Sequence, residues 1–145
     1  MKLKDIMSRE VKYVNVQDNI TNAAKIMKDL NVGCVPVCEG QRPVGMLTDR
    51  DIVIRNIAQE KDINNTSVAD AMSNRVIYGT PDMDVHEAAA LMSKYQIRRL
   101  PVVENGKIVG IVAIGDLAVQ NKLVDDTGQA LYNISQQIPV NYLNS

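Results

Sequence analysis

Aromatic side chains are scarce in this sequence: it has no tryptophan and no phenylalanine, and its aromatic fraction is 3%. A core without large rings must be built from Val, Ile, Leu, Met and Ala, which suits a tightly packed α/β unit. His86 is the only histidine and sits at a predicted helix start, so we expect neither a His-based catalytic triad nor a multi-histidine metal site. We expect His86 to be an ordinary surface residue. Neither a phosphate-loop lysine motif nor Gly-x-Gly-x-x-Gly occurs.

Charge of one sign and long apolar runs are also missing. The chain has 16 basic and 17 acidic residues and a formal net charge of −1, which gives no general attraction to nucleic acid or to anionic lipid. No run of about 18 apolar residues occurs, and Met1–Asp5 lead into no signal peptide. We therefore expect a cytoplasmic protein that binds neither a membrane nor nucleic acid directly.

The two cysteines, Cys34 and Cys38, flank Val35-Pro36-Val37 in a predicted strand. At the rise of a strand they would lie about 13 Å apart, which is too far for a disulfide. We expect two small apolar residues in a reduced protein. An intermolecular disulfide or a thiol sensor is the alternative.

The main feature that is present is an internal repeat. Met7 and Met72 are separated by an offset of 65, and the same offset runs on without a gap, pairing Pro36 with Pro101. Such a pattern indicates a tandem duplication. Beyond the second repeat, we expect a helix around Ala130 to Gln137 that Pro139 ends. The predicted boundaries are 1–60 for the first repeat, 61–67 for a linker, 68–122 for the second repeat and 123–145 for a helical extension.

Each repeat contains the same order of predicted elements: strand, helix, strand, strand, helix. Small and apolar residues recur at helical spacing in Ile20–Leu30 and again in Val85–Tyr95. A β-rich hairpin follows each of these helices, and Asn105-Gly106 is a strong turn signal in the second repeat. The second helices are predicted to begin at about Asp49 and at about Gly115.

Several segments of the two repeats resemble one known family. The first repeat contains Asp5-Ile6-Met7-Ser8, Val35-Pro36-Val37 and Gly45-Met46-Leu47-Thr48-Asp49-Arg50-Asp51. The second contains Asp70-Ala71-Met72-Ser73, Leu100-Pro101-Val102-Val103 and the run from Gly110 to Asp116. These segments closely resemble the CBS motif, named for cystathionine β-synthase, over nearly everything from Leu3 to Lys122. The whole resembles the small bacterial proteins that consist of one CBS pair.

The resemblance implies an α/β (α+β) fold in which two β-α-β-β-α CBS motifs pack sheet to sheet about a pseudo-twofold axis. In that family two clefts bind AMP, ADP, ATP, S-adenosylmethionine or related ligands, and their occupancy alters a partner. It thus implies a regulatory module rather than an enzyme, with an adenine nucleotide as ligand, no required cofactor and an effector protein. We also expect a homodimer, because the second helices are more apolar than a solvent-facing helix needs. The residues concerned are Ile52, Val53, Ile54, Leu117, Ala118 and Val119.

The aspartate that the family uses for ribose corresponds to Asp51. An ionised carboxylate can accept hydrogen bonds from both hydroxyls of a ribose diol, and Thr48, between a strand and a helix, suits a phosphate oxygen. A capping box made by Thr48 and Asp51 would account for both residues without a ligand. The second repeat has Ala113 in place of Thr48 but keeps Asp116. We take this as favouring a ligand role for Asp51, with Asp116 as the weaker candidate, although an acid in the first helical turn is favourable anyway.

The resemblance also implies an adenine pocket and a phosphate site. Arg98 and Arg99 stand opposite Gly33 and Cys34 in the repeat, and in the γ subunits of AMP-activated kinases the matching basic positions reach the phosphate bound at the neighbouring motif. Surface arginines, or arginines paired with Asp or Glu, are the alternative. The predicted adenine pocket is Val11, Lys12, Tyr13, Cys34, Val35 and Pro36, of which Val11 and Val35 are also ordinary core candidates. The second, weaker site is Ile77 with Asp116.

Two functions compete with nucleotide sensing. CBS pairs are often fused to helix-turn-helix domains, so a transcription-associated partner protein is one alternative; the sequence has neither that motif nor a basic stripe, which disfavours direct DNA binding. A partner-binding scaffold with a degenerate ligand site is the other, because a fold does not guarantee a function.

Overall fold

The structure is a computed structural model that describes residues 1–120 and 124–135. A π-helical turn occupies Val53–Ile57, and 3₁₀ turns occupy Leu3–Asp5 and Ile63–Asn65. The mixture of strands and helices confirms the α+β class. In chain order the elements are β1 (Val14–Asn15), α1 (Ile20–Leu30), β2 (Cys34–Glu39), β3 (Arg42–Thr48), α2 (Asp49–Ile52), α3 (Val68–Ala71), α4 (Val85–Tyr95), β4 (Arg99–Glu104), β5 (Lys107–Ala113), α5 (Ile114–Ala118) and α6 (Val124–Ser135).

The chain forms two compact units, and each takes residues from both sequence repeats. The first-repeat unit consists of Lys12–Val76 with Gly106–Ile108. The second-repeat unit consists of Met1–Val11, Ile77–Asn105 and the described residues from Val109 on. The opening segment of each repeat therefore packs with the body of the other repeat. The boundaries assigned to the sequence repeats stay a prediction.

The first-repeat unit is built on a three-stranded sheet in the order β1-β2-β3. β1 runs parallel to β2, with Val14 opposite Val37, and β2 runs antiparallel to β3, with Cys34 opposite Thr48. Helix α1 begins after Asn19, whose side chain accepts a hydrogen bond from the Thr21 amide at 2.8 Å. The core of this unit consists of Val14, Ile20, Ala23, Met27, Val35, Val37, Leu47, Val68 and Ala71.

The second-repeat unit repeats this plan with one difference. β4 and β5 form a hairpin whose turn residues Asn105 and Gly106 both have positive φ, at 53° and 78°, as the Asn-Gly signal predicts. The strand expected to correspond to β1 is reduced to a single parallel bridge between Gly79 and Val102. Val16 continues the pairing of β1 through its amide, which donates to the Cys38 carbonyl at 3.2 Å. Pro81 stands at the matching position and has no amide proton to donate.

Short backbone pairings hold each exchanged segment in place. Ser8 and Ile111 exchange two hydrogen bonds, of 2.9 and 3.0 Å, in the second-repeat unit. Ser73 and Met46 exchange two of 2.9 and 3.0 Å in the first-repeat unit. Leu3 is fully buried in the core of the second-repeat unit, so the first residues of the chain are part of that core. The core consists of Leu3, Met7, Val85, Ala88, Ala89, Met92, Leu100, Val102, Val112 and Leu117.

The predicted apolar face of α1 is wrong at two positions. Ala24 and Leu30 are exposed, whereas Ala89, the partner of Ala24 in the repeat, is buried. Helix α6 packs against α4 and α5. Within the described part of the chain, α1 contacts the short helices α2 and α3 and has no counterpart of α6. Pro139, predicted to end the last helix, lies outside the described residues. Among the helices of the described ranges, none is long and apolar enough to cross a membrane.

Candidate functional site

One end of the first-repeat sheet gathers most of the residues predicted to bind a ligand. Cys34 begins β2 directly opposite Thr48, the last residue of β3. Lys12 and Tyr13 immediately precede β1, which pairs in parallel with β2, so they lie at the same end of the sheet. Asp51 follows in the first turn of α2. Two further pocket residues, Val35 and Pro36, are buried in β2.

The carboxylate of Asp51 is held by a reciprocal cap. Its Oδ2 accepts the Thr48 amide at 2.9 Å, while the Asp51 amide donates to Thr48 Oγ1 at 3.0 Å. The box satisfies two backbone amides at the helix start. The capping interpretation of these two residues is therefore realised in the structure, and it leaves Asp51 Oδ1 outside the cap.

The second repeat retains half of this cap. Oδ2 of Asp116 accepts the Ala113 amide at 2.8 Å, while Ala113 has no side-chain oxygen with which to return the bond. This half-cap is a structural reason for an aspartate at Asp116. The retention of aspartate in both repeats consequently does not distinguish a ligand role from a capping role, and the argument drawn from it by sequence loses its force.

Sequence reasoning did not single out Arg55, which lies one helical turn beyond Asp51. Its Nε is 3.8 Å from Asp51 Oδ1, and its Nη1 donates to the Met72 carbonyl at 3.1 Å. The Asp51 side chain is 17% exposed and that of Arg55 is 49% exposed. The i,i+4 spacing and the change from Arg55 to Gln120 in the second repeat were the available signals.

The other predicted site residues belong to the second-repeat unit. Val11 and Ile77 are half-buried, and Ile77 packs against the core of that unit. Arg98 is exposed, and its carbonyl accepts the Ile114 amide at 2.8 Å. Arg99 is the half-buried first residue of β4. A shared site for these residues and Asp51 stays a prediction.

Buried polar groups in the first-repeat unit are few and local. Asn56, in the π-helical turn, is fully buried; its Nδ2 donates to Thr66 Oγ1 at 2.8 Å, and Thr66 Oγ1 donates to the Asp62 carbonyl at 2.7 Å. Burial raises the pKa of the Cys38 thiol to about 11, so this thiol stays protonated at neutral pH. Within the described ranges, no three His, Cys, Asp or Glu side chains are grouped so as to hold a metal ion.

Comparisons with known proteins identify the family. The family model described as CBS domain matches residues 3–56 and 68–119. The chain is 46% identical over 135 residues to the CBS domain-containing protein YhcV of Bacillus subtilis, covering 93% of this chain and 96% of that protein. It is 34% identical over 116 residues to hypoxic response protein 1 of Mycobacterium tuberculosis, covering 79% of this chain and 81% of that protein.

Solved structures agree with these matches. The structure of Hypoxic Response Protein I with two coordinated zinc ions aligns with a TM-score of 0.75 at 34% identity, over 81% of this chain and 97% of that one. The CBS domain pair of protein MJ0100, in complex with 5′-methylthioadenosine and S-adenosyl-L-methionine, aligns with a TM-score of 0.70 at 32% identity, over 81% of this chain and 97% of that one. Two matches by the family model, in the two repeats found by sequence, show that the chain belongs to the CBS-domain family and carries the domain twice.

Proposed function

We propose that this chain is a regulatory module, not an enzyme, that binds an adenosine-type nucleotide through the ribose at Asp51. The observation that carries the proposal is that the two oxygens of that carboxylate make different contacts. Oδ2 is used by the Thr48 amide, whereas Oδ1 faces Arg55 at 3.8 Å, which is too long for a hydrogen bond. Oδ1 thus keeps lone pairs for the hydroxyls of a ribose, in a side chain that is mostly buried.

Two further observations support this ligand class. The MJ0100 pair, whose fold matches this chain, is described with two adenosyl ligands. Two of the predicted pocket residues, Cys34 and Tyr13, are half-buried and lie at the same end of the sheet as Thr48. The phosphate roles of Thr48, Arg98 and Arg99 stay predictions. For Arg99, the expected result of Arg99→Ala is a larger loss of affinity for AMP than for adenosine.

A thermal-shift panel tests the ligand class directly. AMP, ADP, ATP, NAD, S-adenosylmethionine and Mg²⁺ are added separately, and a ligand present at 100 times its dissociation constant should stabilise the folded chain by about 2.7 kcal/mol. Calorimetry on Asp51→Asn then localises the site. The variant keeps a side chain of the same shape, and its affinity for the stabilising ligand should fall about tenfold or more. An unchanged affinity would refute the ribose role of Asp51.

A scaffold with a degenerate ligand site is the second candidate, and the completed cap favours it. Thr48 and Asp51 satisfy each other's amides without any ligand, so their presence alone requires no nucleotide. The absence of any shift in the panel would support this candidate. A gel-shift assay at low and moderate salt separates both from direct nucleic acid binding, for which the net charge of −1 offers no general attraction.

We also propose that the chain forms a homodimer and passes its signal to an effector protein. Val53, Ile54 and Ile57 are each about half exposed, and Val119 is 75% exposed. Apolar side chains grouped at a helix surface are typical of protein interfaces. Light scattering at micromolar concentration should give twice the chain mass of 16.0 kDa, and a value near the chain mass itself would refute the dimer.

A further inference from the structure

We infer that Arg55 makes the first-repeat site selective for phosphate-bearing nucleotides over neutral adenosyl ligands. The inference rests on the proposed ribose role of Asp51 and adds the charge class of the ligand. The two residues lie on consecutive turns of one continuous helical segment, α2 and the π-helical turn. A ribose on Asp51 would therefore bring its 5′ substituent within reach of a neighbouring cation.

The guanidinium of Arg55 is oriented although its side chain is half exposed. Nη1 donates to the Met72 carbonyl at 3.1 Å, and Nε faces Asp51 Oδ1 at 3.8 Å. The hydrogen bond to Met72 restrains the group, so less side-chain entropy is lost when it binds an anion. Among the described residues Nη2 has no hydrogen-bond partner, which leaves N–H donors of the planar fork for a phosphate oxygen.

An ordinary helical ion pair explains this arrangement poorly. Exposed pairs at i,i+4 contribute only a few tenths of a kcal/mol, and here the closest approach is longer than a hydrogen bond. Among the described residues, the hydrogen bond that Arg55 donates goes instead to the Met72 carbonyl. That bond positions the charge next to Asp51 without consuming the carboxylate oxygen that a ribose needs.

The second repeat gives an internal comparison. Gln120 and Ala113 stand at the positions of Arg55 and Thr48, so it lacks both the cation and the hydroxyl while keeping the capping aspartate. The first repeat therefore has a hydroxyl and a cation at a helix start where the second repeat has neither.

Calorimetry with AMP and with adenosine tests the inference. Arg55→Gln installs the residue of the second repeat, and we expect it to weaken AMP about tenfold or more while adenosine changes less than about twofold. Arg55→Lys keeps the charge without the fork, so AMP should weaken less than in Arg55→Gln. Arg42→Gln is the matched control, because Arg42 is an exposed arginine of the same unit that pairs with Glu39; neither ligand should change.

The possible outcomes separate this inference from the proposed function. Equal weakening of AMP and adenosine in Arg55→Gln would mean that Arg55 only orients Asp51, and would overturn the inference while leaving the ribose site intact. An unchanged affinity for AMP would overturn it as well. If the wild-type chain binds S-adenosylmethionine or adenosine but not AMP, the inference fails alone; if it binds none of the adenosyl ligands, the proposed function fails and the inference fails with it. Thermal melts of each variant confirm that the comparison is made on folded protein.

Discussion

Gly45 and Gly110 occupy equivalent positions in the two repeats, but the structure predicts different costs for adding a methyl group to each. A Cβ on Gly45 would overlap the backbone carbonyl oxygen of Ser73 and would lie 2.9 Å from Met72 Sδ. A Cβ on Gly110 would lie 2.5 Å from Met7 Sδ and 3.1 Å from the Ser8 carbonyl oxygen. A thioether can rotate away, whereas a paired carbonyl cannot.

The cost follows from what must move. Relieving the overlap in Gly45→Ala means displacing Ser73 from Met46, with which it exchanges hydrogen bonds of 2.9 and 3.0 Å. Overpacking costs about 1 to 3 kcal/mol and the loss of one of the two hydrogen bonds about 1 kcal/mol, so we expect about 2 to 4 kcal/mol in all. Gly110→Ala should cost about 1 kcal/mol, because the Met7 side chain can adjust. The smaller entropy of the unfolded chain applies equally to both variants.

Thermal unfolding measures the total cost of each substitution, and hydrogen exchange shows whether the hydrogen bonds between Ser73 and Met46 are lost. At about 3 °C per kcal/mol, the melting temperature should fall about 6 to 12 °C for Gly45→Ala and about 3 °C for Gly110→Ala. The Met46 and Ser73 amides should lose protection only in Gly45→Ala. Equal destabilisation of the two variants, or unchanged protection at Ser73, would refute the claim that the exchanged segment rests against this glycine.

Three smaller predictions concern stability and reactivity. Leu3→Ala should lower the free energy of unfolding by about 2 to 5 kcal/mol, since Leu3 is fully buried; a loss below about 1 kcal/mol in urea unfolding would show that the N-terminal segment is not part of the core. Thr48→Ala should lower the free energy of unfolding by about 1 kcal/mol by removing its half of the cap, and Ala113→Thr should raise it by completing the cap in the second repeat. A stabilising Thr48→Ala or a destabilising Ala113→Thr in urea unfolding would contradict the capping geometry. Cys38 has a folded pKa of about 11 against an ordinary 9.0, so the free energy of unfolding should fall as pH rises from about 9 to 11, less so in Cys38→Ala, and iodoacetamide should label the native thiol slowly at pH 8; fast labelling would refute the burial.

Much of the fold was predictable because its signals are local. The Asn105-Gly106 turn and the periodicity of α4 each depend on a few neighbouring residues, and the structure confirms them. The reduced first strand of the second repeat could have been predicted from Pro81, which cannot donate to a neighbouring strand. The exchange of opening segments could not, because the two repeats are so alike that Leu3 could equally pack within its own repeat.

Part of the candidate site was predictable from sequence, but the contacts of its side-chain atoms were not. Thr48 and Asp51 were found from sequence, and their spacing had already suggested a cap. What a sequence cannot show is which carboxylate oxygen the cap uses, and the structure assigns Oδ2 to it. Arg55 was missed because its hydrogen-bond acceptor, the Met72 carbonyl, is a backbone atom far along the chain.

Comparison of the two caps changes what counts as a functional signal in a duplicated protein. A residue present in both repeats, such as Asp51 with Asp116, can be explained by the helix start that both repeats must satisfy. A residue present in one repeat alone carries more information, because the other repeat shows that the fold forms without it. By this criterion Arg55, which stands where the second repeat has Gln120, adds to the case for a ligand that the uncapped Oδ1 of Asp51 carries, whereas the Thr48 hydroxyl is accounted for by the cap.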